Sequence, residues 1–223
     1  MEPIALIDYG AGNLTSVRKA FAAVDAPIFT PREPGELRDV RALVVPGVGH
    51  FGVTRSLEAG WRDAVLARLD AGALLFGICV GMQWLFAGST EAPEVAGLGR
   101  LEGRCERLDE CGGTLKVPHV GWNALSIVRP SRLLDSLPSG AYVYFTHSYA
   151  APVTAATTAT TGHGRDFAAV VEAGPVMGVQ FHPEKSGEAG LTILRNFVGL
   201  VRELQDAAGV SDGPVTSVRN GRP

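Results

Sequence analysis

Gly77-Ile78-Cys79-Val80-Gly81 is the pentapeptide in this 223-residue chain where a thiol stands in the setting of a nucleophile. A G-x-nucleophile-x-G run between a buried strand and a helix forms a sharp elbow that thrusts the central side chain out above a sheet edge. The following helix points its N-terminus at the sulfur and favours thiolate over thiol. The Val80 amide is free there to donate to an oxyanion. Taken alone, the pentapeptide fits an ordinary buried thiol equally well, since free cysteine is among the most buried residue types.

Phe181-His182-Pro183-Glu184 supplies what such a thiol lacks. Pro183 fixes its own φ and pushes His182 out of the helical region, which predicts an extended segment. Residues two apart in an extended segment point the same way, so Glu184 is placed to orient one nitrogen of His182 and turn the other toward a nucleophile. An isolated HPE reads more simply as a solvated turn. Two such elements at strand ends of one sheet favour the Cys–His–acid reading, with Cys79, His182 and Glu184 in that order. His147 competes as base but has no acid at period-two spacing, and is read as a wall or structural residue. His50, His119 and His163 share no metal-type spacing, and no metal site is expected.

Pro46-Gly47-Val48-Gly49 follows an apolar run and offers backbone amides near Val48 as a second half of an oxyanion hole, or else a plain βα turn. Gly10-Ala11-Gly12-Asn13-Leu14-Thr15 approaches a dinucleotide fingerprint, with Glu33 at a tolerable distance. Thr15 replaces the third glycine, and no cofactor is expected.

The elements that must carry these residues alternate. Ile4 to Ile7, Pro27 to Thr30, Ala42 to Val45 and Ala73 to Ile78 read as strands. Between them lie helical patterns after an Asn13 N-cap and around Trp61, Val65, Leu66 and Leu69, and Val80 to Phe86 reads as a short helix. This order predicts an α/β fold with a doubly wound, mostly parallel sheet and helices on both faces. From about Gly97 to Gln180, β-rich runs such as Tyr142 to Phe145 read as antiparallel additions to that sheet. Ala155 to Thr161 reads as a loop. Leu191, Leu194, Phe197, Val198 and Val201 mark a last amphipathic helix. One domain over residues 1–208 and a disordered tail over 209–223 are expected.

Composition narrows the class. Hydrophobic residues make up 46% and charged residues 19%, too apolar for a disordered chain. A net charge of −3 gives no basic footprint for nucleic acid. No apolar run approaches the length of a membrane span, and the start has no signal-peptide pattern. Cys79, Cys105 and Cys111 form neither a disulfide framework nor a zinc pattern. A cytoplasmic globular protein is the expectation.

The three motifs together resemble the triad-type glutamine amidotransferases, whose fold is flavodoxin-like. Ile7-Asp8-Tyr9-Gly10-Ala11-Gly12-Asn13-Leu14, Pro118-His119-Val120-Gly121-Trp122-Asn123 and Tyr144-Phe145-Thr146-His147-Ser148-Tyr149 make the chain similar, within that group, to the glutaminase subunits of imidazole glycerol phosphate synthase. The resemblance covers residues 4 to about 200. It implies that Cys79 attacks the side-chain amide of glutamine, that His182 takes and returns the proton, and that Glu184 orients it. It implies an oxyanion hole at Val48 and Val80, and a glutamine pocket at Gly49, Gln83, Glu91, His147, Ser148 and Tyr149. It further implies a heterodimer with a (β/α)8-barrel cyclase, docked near Asn13, Trp122 and Lys185, which receives ammonia through a channel in histidine biosynthesis. An ammonia-supplying subunit of another pathway, such as pyridoxal phosphate synthesis, usually carries a Gly-Gly-Glu loop instead of Pro46-Gly47-Val48-Gly49. A catalytically silent scaffold protein is the other alternative, against which Cys79, His182 and Glu184 stand intact.

Overall fold

A computed structural model describes residues 1–58 and 60–211. In chain order the strands are β1 (Ile4–Leu6), β2 (Ile28–Phe29), β3 (Ala42–Val45), β4 (Leu74–Ile78), β5 (Glu106–Arg107), β6 (His119–Ala124), β7 (Ser126–Ile127), β8 (Tyr142–His147), β9 (Tyr149–Ala150), β10 (Thr157–His163), β11 (Arg165–Ala173) and β12 (Val176–Val179). The helices are α1 (Leu14–Ala22), α2 (Trp61–Asp70), α3 (Val80–Trp84) and α4 (Gly187–Ser211). Eight strands form the central sheet in the order β2-β1-β3-β4-β12-β11-β10-β7. Its β2-β1-β3-β4-β12 part is parallel, and β11, β10 and β7 add to it antiparallel.

β3 and β4 are buried almost throughout, as parallel strands covered on both faces must be. Alternate residues of β1 feed two cores. Ile4 and Leu6 join Phe21 and Phe197 on the face covered by α1 and α4, while Ala5 and Ile7 join Val65 and Leu69 of α2 on the other. Asn13 caps α1 as expected, its side chain accepting from the Ser16 N–H. Phe197 stacks on Phe76 at 4.9 Å and seats α4 on β4. Among the described residues no helix is long and apolar enough to cross a membrane.

Two expectations are corrected. Thr157 to Thr161 of the Ala/Thr-rich patch lie in β10 rather than in a loop, and all five are buried. Their β-branched stems suit a pleated surface, and hydroxyls are satisfied by neighbouring segments: Thr161 Oγ1 donates to the Ala124 carbonyl at 2.7 Å and Thr158 Oγ1 to the Val170 carbonyl. Tyr142 to Phe145 does not join the central sheet; β8 pairs antiparallel with β6 in a separate two-stranded sheet. Its alternation explains this, because Val143, Phe145 and His147 face inward while Tyr142 stays exposed. The last helix includes residues 209–211, and the rest of the expected tail, 212–223, lies outside the described residues.

The arrangement aims three segments at one place. β3, β4 and β12 are adjacent and parallel, so the loop after Val45, the elbow after Ile78 and the segment after Val179 leave from the same sheet edge. In open α/β sheets the carboxyl ends of the strands are where ligands bind.

Candidate active site

Cys79 has φ 54° and ψ −110°, a strained backbone for a residue with a side chain. The strain is held from both sides: its N–H donates to the Val179 carbonyl at 2.8 Å, and its carbonyl accepts from Gln83 N–H at 3.0 Å. Gly81 makes the elbow possible, because a Cβ there would collide with the Val45 carbonyl oxygen. The helix after Cys79 therefore leans directly on the last residue of β3. Gly81→Ala is expected to destabilise the fold by ~1–3 kcal/mol or more through overpacking. Urea unfolding checks this; an unchanged midpoint would show that the close approach is slack.

Gly47 is equally constrained, facing the Tyr9 hydroxyl and Val80 where a Cβ would sit. That hydroxyl is buried without a hydrogen-bond partner, and burial, together with the charge of Cys79, pushes the phenol above its ordinary range. Among the described residues neither Val48 nor Gly49 spends its N–H in a hydrogen bond.

His182 reaches the same edge by a route the sequence did not suggest. His182 itself is extended, but Pro183–Lys185 forms a 3-10 turn. Proline suits the first position of such a turn, where no N–H is required. The outcome is nonetheless the expected contact, with His182 Nδ1 bonded to Glu184 Oε1 at 2.8 Å. Ser186 locks the turn to β8: its hydroxyl donates to the His182 carbonyl at 2.6 Å and accepts from the Tyr144 N–H at 2.9 Å. Both partners of the pair are almost wholly buried. Nε2 of His182 is buried, and the polar group it faces is the Cys79 sulfur, with which it interacts through a long hydrogen bond and through charge. Burial alone would lower the imidazole pKa. The facing sulfur and the Glu184 carboxylate outweigh it and push the value up to about 10.

Above Cys79 lies a cavity of about 270 Å³ lined by Gly49, His50, Val80, Gln83, Glu91, Pro118 and Thr146 to Tyr149. At ~30 Å³ per water this is room for a ligand of about ten heavy atoms. A larger groove of about 540 Å³ beside α4, lined by Ser131, Arg132, Glu172, Arg195 and Glu203, contains no cysteine or histidine, and its Ser131 hydroxyl donates to Glu172 at 2.6 Å. Gly49, Gln83, Glu91, His147, Ser148 and Tyr149, expected to hold the ligand, line the smaller cavity with Cys79 and Val80, while Val48 and His182 are not among its lining residues. Glu91 Oε2 accepts from the Phe51 N–H at 2.6 Å and presents an anion to the wall. Gln83 donates to the Tyr149 carbonyl at 2.8 Å. Asn13, Trp122 and Lys185 stay exposed. Trp122 packs edge-on against Tyr144, over whose ring the Lys185 Nζ sits at 5.7 Å.

Two features of the site were not anticipated. Gln180 is fully buried and donates to the Cys79 sulfur at 3.7 Å. Its signal was period-two spacing from His182, which puts both side chains on one face of an extended chain. His119, read as solvated or core-satisfied, stacks on His163 at 4.3 Å and contacts His147, Nδ1 to Nε2, at 3.1 Å. Burial lowers His119 to about 4 and His147 to about 3. Both are thus neutral in the fold and take up protons on unfolding once pH falls below ~6.5. Stability from this pair is present above that pH and is lost as pH falls toward 4 and then 3. Each proton contributes a slope of up to ~1.4 kcal/mol per pH unit. Urea unfolding from pH 7 to 4.5 should show His119→Gln losing stability less steeply than wild type; parallel curves would refute the assignment.

The model of the family described as glutamine amidotransferase class-I matches residues 5–200. The chain is 41% identical to the imidazole glycerol phosphate synthase subunit HisH of Moorella thermoacetica, over 93% of this chain and 99% of that one. It is 44% identical to the protein of the same name from Methanothermobacter thermautotrophicus, over 89% and 99%. A solved structure titled as a glutamine amidotransferase matches with a TM-score of 0.70 at 22% identity, covering 90% of this chain and all of that one, a likeness of fold.

Proposed function

Because the chain belongs to the class-I glutamine amidotransferases, and among them to the HisH glutaminase subunits of imidazole glycerol phosphate synthase, we propose that it hydrolyses glutamine through Cys79, His182 and Glu184 and passes the ammonia to a cyclase. The observation that carries this reading is the buried His182–Glu184 pair beside the strained Cys79, under one cavity of amino-acid size.

The sulfur of Cys79, its proton held on His182, attacks the side-chain amide carbon of glutamine. Amides of Val80 and of the loop around Val48 receive the oxyanion, for which neither Val48 nor Gly49 has a competing partner among the described residues. His182 then protonates the departing nitrogen, and ammonia leaves a glutamyl thioester. Water gives a proton back to His182 as it attacks the thioester, and collapse frees glutamate and the sulfur. Glu184 keeps the imidazole oriented and stabilises its charge. Glu91 faces the substrate ammonium, while Gln83, Gly49 and the wall from His147 to Tyr149 hold the rest of the amino acid.

Ammonia released into water would be wasted, so the cavity must open toward an acceptor. The cyclase, a (β/α)8 barrel in a cytoplasmic heterodimer, docks on the face carrying Asn13, Trp122 and Lys185. Trp122 is 54% exposed, and Val120 and Tyr142 are exposed near it, more apolar surface than an unpartnered edge needs. Lys185 directly follows Glu184 and ties docking to the triad. Glycines in the 46–49 loop ease rotation of a peptide plane, and an amide turned away from the oxyanion costs ~10²–10³ in rate. The test is glutamine hydrolysis by the purified subunit, then with the cyclase, then with the cyclase and its nucleotide ligand. Rates should rise at each addition by a combined factor of ~10²–10³; equal rates in all three conditions would refute partner gating.

A further inference from the structure

We propose that Gln180 is a positioning residue for the nucleophile, holding a side-chain N–H against the Cys79 sulfur in an orientation dictated by one backbone carbonyl, that of Tyr149. This rests on the reading of Cys79 as the nucleophile. The two ends of a side-chain amide have nearly the same shape, so orientation must follow from hydrogen-bond partners. A carbonyl oxygen only accepts, so the Gln83 atom 2.8 Å from Tyr149 O is the nitrogen Nε2. The same nitrogen lies 3.1 Å from Gln180, which must therefore offer its oxygen. The nitrogen of Gln180 is left facing Cys79 Sγ at 3.7 Å, a normal N–H···S separation.

The anchor is secured from its other side. Tyr149 O also pairs with His147 Nδ1 at 2.9 Å, which makes that nitrogen the donor and leaves Nε2 to accept from His119 Nδ1. Gln83, Gln180 and His147 are all buried, which shields these bonds from bulk solvent. The chain of donors thus has a fixed sense and ends on the sulfur. A donor beside sulfur stabilises thiolate relative to thiol, because hydrogen bonds to an ionised partner are the stronger kind. Gln180 and His182 approach the sulfur from one extended segment, the first with a permanent donor and the second with a mobile proton.

Q180L and Q180E test the assignment in complex with the cyclase, in a Cys111→Ser background because Cys111 is an exposed competing thiol. Q180L should lower kcat about 10–100-fold, the loss expected of a hydrogen bond to a charged group. Its KM for glutamine should change much less, since Gln83 keeps the Tyr149 carbonyl. Alkylation of Cys79 by iodoacetamide, measured without glutamine, should require higher pH in Q180L than in the parent. In Q180E the introduced carboxyl donates to sulfur only while protonated, so activity should fall with rising pH across a range where the parent is flat. A Q180L protein with the parent's alkylation profile has lost only packing, and that result overturns the proposal. Should Q180L not fold, a Q180E profile matching the parent overturns it equally. Cys79→Ala separates the two levels: if it retains glutaminase activity, the reading of the nucleophile has failed. If it is inactive while both Gln180 variants behave as the parent, only this inference has.

Discussion

Cys79→Ala is expected to remove glutamine-dependent product formation by the subunit–cyclase complex, on the order of 10⁶-fold, while the complex still turns over with ammonium salts at high pH. The magnitude follows from the unit behaviour of such a constellation, where loss of the nucleophile leaves His182 and Glu184 nothing to activate. The fold should survive, since only the sulfur is deleted and the bonds from Cys79 N–H to Val179 and from Gln83 to the Cys79 carbonyl are backbone bonds. The φ of 54° strains alanine as it strains cysteine, whereas Cys79→Gly is equally inactive and should be more stable than the alanine variant by ~1 kcal/mol. Steady-state assays with glutamine and with ammonium, beside urea unfolding, check all of this. Loss of the ammonium reaction in an intact complex would mean that Cys79 does more than release ammonia.

Glu184→Gln should lower activity with the nucleophile still in place. The amide oxygen can still accept from His182 Nδ1, so orientation is largely kept, but the charge that helps raise His182 to about 10 is gone. The imidazole pKa falls, held up by the Cys79 sulfur alone against burial, and the charged form needed to protonate the departing nitrogen becomes more costly. A loss of kcat on the order of 10²–10⁴ is expected, with KM for glutamine nearly unchanged. The amide N–H group that replaces Glu184 Oε2 is left buried without an acceptor, so the variant should also be less stable by ~1–3 kcal/mol. Kinetics between pH 6 and 9 and thermal unfolding decide it. A variant with normal kcat would reduce Glu184 to packing.

What could be read from the sequence was whatever is local or periodic. The buried strands Ala42 to Val45 and Ala73 to Ile78 announce a parallel sheet by continuous apolar runs, and the Gly-x-Cys-x-Gly spacing announces the elbow because close approach to Val45 admits no Cβ at Gly81. The His182–Glu184 contact was anticipated, but through an extended chain where the backbone uses a 3-10 turn. Two residues of separation bring those side chains together by either path, so spacing could not tell them apart. Ala155 to Thr161 read as a loop because small polar residues look loop-like in composition, whereas burial of Thr157 to Thr161 depends on Ala124 and Val170 from distant segments. Gln180 and His119 stayed out of sight for a related reason. Their partners lie 101 and 28 residues away, and nothing periodic in the chain encodes those pairings.

The elbow at Cys79 and the 46–49 loop, which flank the proposed oxyanion pocket, are anchored very differently, and this sets their clocks. The Cys79 N–H is bonded across the centre of the sheet to Val179, so deuterium enters there only when the central strands separate. The Val48 and Gly49 amides have no partner among the described residues and sit where Val48 is 37% exposed, so they exchange through local motion alone. The proposed pocket thereby joins an amide locked into the central sheet to amides held only by their own loop. A cyclase that slows exchange at Val48 and Gly49 without altering it at Cys79 would be seen ordering one wall against another that was rigid throughout.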